Sequence, residues 1–246
     1  MKAVVLGATS GVGRAVARRL AERGDSLFLL GRSEVELARS ALDLAARHPN
    51  RAEVGHATCD LERPEGFARA LDAADAALDG FDTAIVTAAM FAPQDALESD
   101  IDLVQRLTTV DYANTVVFCE HVRRRLLSRG GGRLAVFSSV AGDRGRKPVV
   151  IYGSAKAWLS AYLEALDHKF HADGLSVLCV KPGFVRTTMT AGLKEPPFAA
   201  DPDRVARDVV RALDRRAPLV YAPKVWGLVM FIIRLLPRFI MRRLAF

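Results

Sequence analysis

The feature that most constrains this chain is a repeated alternation of short apolar runs with longer amphipathic stretches. Several short runs are rich in Val, Ile and Leu without polar alternation, which is typical of strands covered on both faces. The runs that predict strands are 3–6, 26–30, 52–57, 83–87, 133–138, 176–181 and 219–221. The stretches that predict helices are 13–23, 34–47, 64–78, one long helix within 100–128, 151–172 and 201–216.

Strands that alternate with helices predict a parallel sheet whose strands are joined by right-handed crossovers. The expected fold class is α/β, a Rossmann-like doubly wound sheet of about seven parallel strands with helices on both faces. Such a sheet binds ligands beyond the carboxyl ends of its strands. Because no Pro- or Ser-rich linker divides the chain, we predict one domain over 1–222 and a C-terminal appendage over 223–246.

The positive charge is concentrated in the C-terminal appendage. Lys and Arg number 35 against 28 Asp and Glu, a formal net charge of +7, and residues 219–246 hold five of these cations and no acid. The rest is close to neutral, so nucleic-acid binding is not expected. The cysteines form no Cys-x-x-Cys pair, so we expect no metal site, no disulfide framework and a cytoplasmic location. Neither a secretory signal nor a spanning run of about 20 apolar residues is predicted.

A glycine-rich turn follows the first predicted strand and opens the first predicted helix. Its glycines let the backbone turn tightly and approach a pyrophosphate, while the helix start offers free N–H groups. The alternative is an ordinary turn with no ligand. The expected cofactor-binding residues of this turn are Gly7, Thr9, Ser10, Gly11, Val12 and Gly13.

Residues at the ends of the second and third strands bear on which dinucleotide would bind. An acid usually follows the second strand in NAD-binding proteins, but this chain has Arg32 there, and a guanidinium suits the 2′-phosphate of NADP. We therefore favour NADP(H), with NAD(H) as the alternative and a solvated Arg32 as the other interpretation. Asp60 is expected either to accept a hydrogen bond from the adenine or to cap a turn.

Tyr152 and Lys156 lie four residues apart near the start of a predicted helix and so share one face. A nearby ammonium favours tyrosinate, so we expect Lys156 to lower the pKa of the phenol toward working pH. Ser139 follows the strand just before this helix, and residues 182–187 follow the next strand at the same edge of the sheet.

In this order, these residues resemble the classical short-chain dehydrogenase/reductase family over residues 1–222. The resemblance implies that Tyr152 is the catalytic acid and base, that Ser139 hydrogen-bonds the substrate oxygen, and that Lys156 binds the nicotinamide ribose. It further implies a homodimer or homotetramer, paired through the helices at 100–128 and 151–172. The remaining cofactor contacts that it implies are Ala88, Ala89, Pro182, Gly183, Val185 and Thr187.

Two positions depart from the family pattern. The family has Asn where this chain has Asp111, and there the main chain holds a water that links the lysine to solvent. We expect Asp111 to keep this role, with Asn114 one turn later as the second option. Met90 replaces the last Gly of the family's Asn-Asn-Ala-Gly motif, which leaves the local backbone geometry open.

The appendage combines arginines with bulky apolar residues. Arg234, Arg238 and Arg242 recur every four residues and predict a stripe along one helical face, provided that Pro237 is tolerated. This composition predicts an element that lies on an anionic membrane, peripheral at its inner face; packing on the body or on a partner subunit is the alternative. The apolar residues are Trp226, Val229, Met230, Phe231, Ile233, Leu236, Phe239, Ile240 and Phe246.

Within the family, the segments 142–146, 193–198 and 221–238 are similar to the branch of decaprenylphosphoryl keto-pentose reductases. That branch implies a lipid-linked carbonyl substrate, whose phosphate would meet Arg144, Arg146 and Lys147, or else these residues form a solvated loop. The segment 184–203 is the predicted lid over the substrate. The other hypotheses are the same reaction on a soluble steroid-like, fatty or polyol ketone, and a nucleotide sensor without catalysis.

Overall fold

The computed structural model describes residues 1–244 and contains a sheet of seven parallel strands in the order β3-β2-β1-β4-β5-β6-β7. This confirms the predicted fold class. The last two positions of the predicted appendage, including Phe246, lie outside the described residues. The strands are β1 (Lys2–Leu6), β2 (Ser26–Gly31), β3 (Gly55–Thr58), β4 (Thr83–Val86), β5 (Gly132–Phe137), β6 (Leu175–Pro182) and β7 (Leu219–Ala222).

The helices cover both faces of this sheet. Side chains of β1 alternate between two buried clusters, Ala3 and Val5 on one face and Val4 and Leu6 on the other. The first cluster includes α1, α2 and α8, and the second includes α3, α6 and α7. The helices are α1 (Gly11–Arg23), α2 (Glu34–Arg47), α3 (Phe67–Leu78), α4 (Gln94–Ser99), α5 (Ile101–Thr108), α6 (Asn114–Ser128), α7 (Val150–Phe170), α8 (Pro202–Asp214), α9 (Val225–Leu235) and α10 (Arg238–Met241).

The strand order reverses direction beside β1, which pairs with β2 on one side and with β4 on the other. Chains that leave neighbouring strands on opposite sides of such a point open a crevice beyond the strand ends. Leu6 of β1 stands level with Leu30 of β2 and Val86 of β4. The residues that follow these three strands therefore line one crevice.

The predicted long helix within 100–128 is confirmed, with a π-helical turn in its middle. A separate helix, α4, precedes it, and Asp100 caps α5 by accepting a hydrogen bond from the Leu103 N–H at 3.0 Å. Between α5 and α6 the backbone forms a π-helical turn, Thr109–Ala113. Such turns insert a residue into a helix and often occur at functional sites. Asp111 lies in this turn.

The arginine stripe predicted along one helical face does not form, because its condition, a helix that tolerates Pro237, is not met. Helix α9 ends at Leu235, and α10 begins at Arg238. Pro237 lacks the N–H that a helix would need there, and Leu236 before it is extended, as residues before proline usually are. Among residues 1–244, none of the helices combines the length and hydrophobicity needed to cross a bilayer.

Candidate active site

The glycine-rich turn after β1, called here the glycine cradle, has no room for a side chain at Gly7 or Gly13. Gly7 has a φ of +91°, and a Cβ there would lie 2.5 Å from Thr87 Oγ1. A Cβ on Gly13 would lie 2.1 Å from the carbonyl oxygen of Gly7. Thr87 Oγ1 donates a hydrogen bond to the Leu6 carbonyl at 2.9 Å and so fixes the end of β4 against the turn. Sequence reasoning missed this role of Thr87, although the residue ends a predicted strand beside the glycines.

Replacing Gly13 by Ala is expected to weaken NADPH binding by about tenfold or more, because the backbone at Gly7 must move away from the new methyl group. Fluorescence titration with NADPH measures the change. Gly145→Ala is the control, since a Cβ there meets open space and should leave binding unchanged. Equal binding by both variants would show that the cradle does not hold the dinucleotide.

A cavity of about 470 Å³ lies beyond the ends of β2 and β3. Three arginines, Arg32, Arg63 and Arg69, line it together with two acids, Asp60 and Glu65. Asp60 Oδ1 accepts a hydrogen bond from the Glu62 N–H at 3.0 Å, which is the turn-capping role predicted for it as an alternative. The cradle and this cavity fit the adenosine end of a dinucleotide.

Helix α7 places Tyr152 and Lys156 on one face, one turn apart. The Lys156 Nζ atom lies 5.6 Å from the centre of the Tyr152 ring, and the lysine side chain is buried. Ser138 Oγ donates a hydrogen bond to the Lys156 carbonyl at 2.9 Å, which fixes α7 against the end of β5. The next residue, Ser139, is also buried at the strand end. The structure therefore brings Ser139, Tyr152 and Lys156, three of the four residues predicted to be catalytic, to one edge of the sheet.

Two residues that sequence reasoning missed hold the start of α7. Gln94 Oε1, at the first position of α4, accepts a hydrogen bond from the Val150 N–H at 2.8 Å. The ring of Phe91 packs edge-on against Tyr152, with 5.2 Å between centroids. These contacts fix the direction of the phenol. No local sequence pattern predicts these contacts, because α4 is short and its contact with α7 is long-range.

Asp111 has a side-chain role that the sequence did not predict. Its side chain is completely buried, with Oδ1 accepting a hydrogen bond from the Met90 N–H at 2.6 Å and Oδ2 lying 3.3 Å from Lys156 Nζ. The acid therefore acts through its side chain as the ion-pair partner of the lysine. Asn114 does not replace it, since the Asn114 amide donates to the Leu61 carbonyl at 2.6 Å. The hydrogen bond to Asp111 also fixes the backbone at Met90.

The pKa of Tyr152 is raised, whereas the sequence predicted a lowered value. Burial of the phenol raises its pKa most; Lys156 lowers it as predicted, but Asp111 raises it again, and hydrogen bonding by Ser139 lowers it. Burial alone would lower the pKa of Lys156, but Asp111 and Tyr152 outweigh burial and raise it. Burial raises the pKa of Asp111 against the opposing effects of Lys156 and the Met90 N–H. The carboxylate thus partly cancels the ammonium that faces the phenol.

The segment after β6 reaches back to the glycine cradle. Gly183 donates its N–H to the Ala222 carbonyl at 3.1 Å, and Val185 is buried. The Thr187 methyl carbon lies 3.3 Å from the position of a Cβ on Gly11. Pro182, Gly183, Val185 and Thr187 therefore lie at the same strand edge as the cradle, and Ala88 and Ala89 follow β4 there.

The predicted lid at 184–203 is held at its base and apolar on its outside. Arg186 forms ion pairs with Glu195 and with Asp201, the latter at 3.0 Å. A backbone bridge between Val185 and Ala200 closes the segment into a loop. Its exposed apolar side chains are Met189, Leu193 and Phe198.

The basic loop before α7 holds the C-terminal appendage. Arg144 donates to the Leu236 carbonyl and Lys147 to the Arg242 carbonyl, each at 2.8 Å. These two residues therefore bind the carbonyl ends of α9 and α10, and their contact to a substrate phosphate stays a prediction. Arg146 is partly buried, and burial lowers its pKa. Asp143 next to them binds Lys181 Nζ at 2.5 Å.

The glycine cradle after β1 and the Tyr152 phenol that faces the Lys156 ammonium together define a class of protein. They are the site of a dinucleotide-dependent oxidoreductase of Rossmann-like fold. The chain belongs to the short-chain dehydrogenase family. The sequence model described as short chain dehydrogenase matches residues 1–197.

Three comparisons agree with this membership. An uncharacterized oxidoreductase of Mycobacterium tuberculosis is 34% identical over 243 residues, 98% of this chain and 96% of that protein. A cis-4-hydroxycyclohexanecarboxylate dehydrogenase of Sinomonas cyclohexanicum is 30% identical over 196 residues, 78% of this chain and 76% of that protein. The structure of an actinorhodin polyketide ketoreductase with NADPH has a TM-score of 0.79 at 22% identity, covering 90% of this chain and 96% of that one, which shows the shared fold.

Proposed function

We propose that the protein interconverts a ketone and a secondary alcohol with NADP(H). The observation that carries this proposal is the Tyr152 phenol, which faces Lys156 and hydrogen-bonds Ser139 on the same edge of the sheet as the glycine cradle. The direct test is a screen of ketones and secondary alcohols with NADPH and NADP. Binding of the nucleotide without any turnover would support instead the nucleotide-sensor alternative.

The side chains divide the proton chemistry among them. A bound nicotinamide supplies or takes up the hydride at the carbonyl carbon. Tyr152 donates its proton to the carbonyl oxygen in the reducing direction, while the Ser139 hydroxyl hydrogen-bonds that oxygen. The Lys156 ammonium stabilises the tyrosinate that remains. Burial and Asp111 raise the pKa of Tyr152, which favours the protonated phenol that ketone reduction requires.

The preference for NADP(H) rests on the cavity beyond β2 and β3. Three arginines, Arg32, Arg63 and Arg69, outnumber the two acids, Asp60 and Glu65, in its lining, and a guanidinium suits a 2′-phosphate. The resemblance drawn from the sequence points the same way, because no acid follows β2 at Gly31 or Arg32.

Arg32→Ala is expected to raise the KM for NADPH by about 10- to 100-fold and to leave that for NADH nearly unchanged, because a hydrogen bond to a charged group contributes about 1.5–3 kcal/mol. Initial rates with each nucleotide measure the split. Arg39→Ala is the control, since that exposed arginine on α2 pairs with Glu36 and lies outside the cavity. An equal loss with both nucleotides would assign Arg32 to general binding.

The substrate class that we propose is an apolar ketone. Its support is the lid, which exposes Met189, Leu193 and Phe198 beside the site. A lipid-linked keto-sugar, as in the decaprenylphosphoryl keto-pentose branch, is the more specific form of this proposal, and a soluble steroid-like, fatty or polyol ketone is the alternative. Including a polyprenyl-phosphate keto-sugar in the ketone screen separates the two.

For assembly, we propose a homodimer or homotetramer that pairs through α6 and α7. Val117 on α6 and Trp158 on α7 are exposed although apolar. The Trp158 ring packs against Tyr112 with 5.2 Å between centroids, so the indole is held in place on the surface. An ordered apolar patch of this kind is typical of subunit contacts.

A further inference from the structure

Helix α9 carries an apolar stripe that nothing in the described part of the chain covers. Four of its residues follow the spacing i, i+3, i+4, i+7, and one residue of α10 continues the surface. Each of the five side chains is between 54% and 68% exposed: Leu228, Phe231, Ile232, Leu235 and Phe239. Contiguous exposed apolar surface on a folded protein marks a contact site.

The opposite side of α9 fixes this stripe in one orientation. Met230 is fully buried, and Trp226 lies against Gly183, where a Cβ would be 2.0 Å from the indole nitrogen. The Arg144 and Lys147 side chains hold the carbonyl ends of the two helices. The exposed side chains therefore project outward from a docked element.

The charged residues of the appendage itself, over 223–244, are all positive. Arg234, Arg238, Arg242 and Arg243 are exposed within and after α9, and residues 223–244 contain no acid. An apolar face flanked by arginines complements a surface with an apolar interior and anionic groups at its boundary. Such a surface is the boundary between the headgroups and acyl chains of an anionic bilayer.

A second copy of this chain fits the stripe less well. Contact between identical patches would bring the exposed arginines of one copy toward those of the other with no acid between them. A spanning arrangement is also excluded for α9, because 11 residues give a helix of about 16 Å against a hydrocarbon core of about 30 Å. A helix of this kind lies in the plane of the interface.

We propose that α9 and α10 dock this protein on an anionic lipid surface, with the apolar stripe inserted and the arginines at the headgroups. The proposal stands independently of the redox function, since it concerns a face that the Tyr152 site does not use. It also names an anionic lipid surface as the contact of the apolar stripe, where the sequence left packing on a partner subunit as an alternative.

The test is flotation of the full chain with vesicles of phosphatidylcholine plus phosphatidylglycerol, and with vesicles of phosphatidylcholine alone. The unaltered protein is expected to float with the anionic vesicles and to remain largely unbound with the neutral ones. The pair Phe231→Ser and Ile232→Ser is expected to lower binding at least about tenfold, because both apolar side chains leave the interface. The pair Arg238→Gln and Arg243→Gln is expected to lower binding by about tenfold or more.

Two matched controls make the result specific. Val35→Ser with Leu42→Ser removes equally exposed apolar side chains from α2, and Arg204→Gln with Arg207→Gln removes exposed arginines from α8. Both controls should float like the unaltered protein, and thermal unfolding confirms that every variant is folded. Flotation that the tail variants retain, or a tail variant that changes the sedimentation mass instead, would overturn the proposal; the second result would assign the stripe to a subunit contact.

Discussion

Replacing Tyr152 by Phe is expected to lower ketone reduction by about 100- to 10,000-fold, because a positioned general acid contributes this much to a proton transfer. The ring keeps its packing against Phe91, so NADPH binding should change little. Turnover is followed as the loss of NADPH absorbance, and binding as NADPH fluorescence. The variant thus separates proton donation from cofactor binding in one protein.

Tyr162→Phe is the matched control for this experiment. Tyr162 lies on the same helix, but its hydroxyl donates to Glu120 at 2.8 Å, away from the sheet edge. Its removal should leave turnover within a few-fold of the unaltered protein. If Tyr152→Phe were as active as Tyr162→Phe, the proton would have to come from another group and the proposed function would lose its acid.

Replacing Asp111 by Ala is expected to lower the free energy of unfolding by about 3–5 kcal/mol, since it leaves the buried Lys156 without its partner. Asp111→Asn should cost less, because its side-chain oxygen can still accept from the Met90 N–H. Urea unfolding measures both. Glu36→Ala breaks an exposed ion pair with Arg39 and should cost less than about 1 kcal/mol.

The pH dependence of Asp111→Asn tests the electrostatic part of this role. Alcohol oxidation needs tyrosinate, so in the unaltered protein, where the pKa of Tyr152 is raised, its rate should climb only in the alkaline range. Removing the carboxylate lets Lys156 act on the phenol without opposition, so the alkaline limb should move to lower pH. If the alkaline limb of the rate profile stays at the same pH while the free energy of unfolding falls, Asp111 has only a packing role.

The stability of the same pair has its own pH signature. The pKa of Lys156 is raised in the folded chain, so its contribution is complete below the pKa of a free lysine. That contribution is lost as pH rises through the folded value. Unfolding of the unaltered protein in alkaline buffer should therefore show a loss that Asp111→Ala lacks.

The sheet and its ligand edge could be predicted from the sequence because they depend on local patterns. Apolar runs and glycine turns report burial and backbone freedom directly, and the predicted β1, β2 and β4–β7 match the structure closely, whereas β3 is shorter than predicted. The pairing of Asp111 with Lys156 and Met90 could not be predicted this way. It joins three segments distant in sequence, and the π-helical turn that aims the acid has no periodicity of its own.

The break at Pro237 shows a different kind of error. The residue itself predicts a helix end, but the four-residue recurrence of arginines favoured continuity, and the proline rule prevailed. For Arg144 and Lys147, charge alone predicts a contact to a phosphate. Their partners are backbone carbonyls of the appendage, which sequence patterns do not reveal.

The contact between Trp226 and Gly183 makes two distant positions depend on each other. The indole occupies the space where any side chain at 183 would stand, and it also faces the Phe198 ring at 6.5 Å between centroids. A larger residue at 183 would expel the appendage, and a smaller residue at 226 would leave a void beside the segment that follows β6. The C-terminal helices and the segment that follows β6 can therefore change in evolution only together. Transferring either of them alone into another protein should disrupt the packing of both.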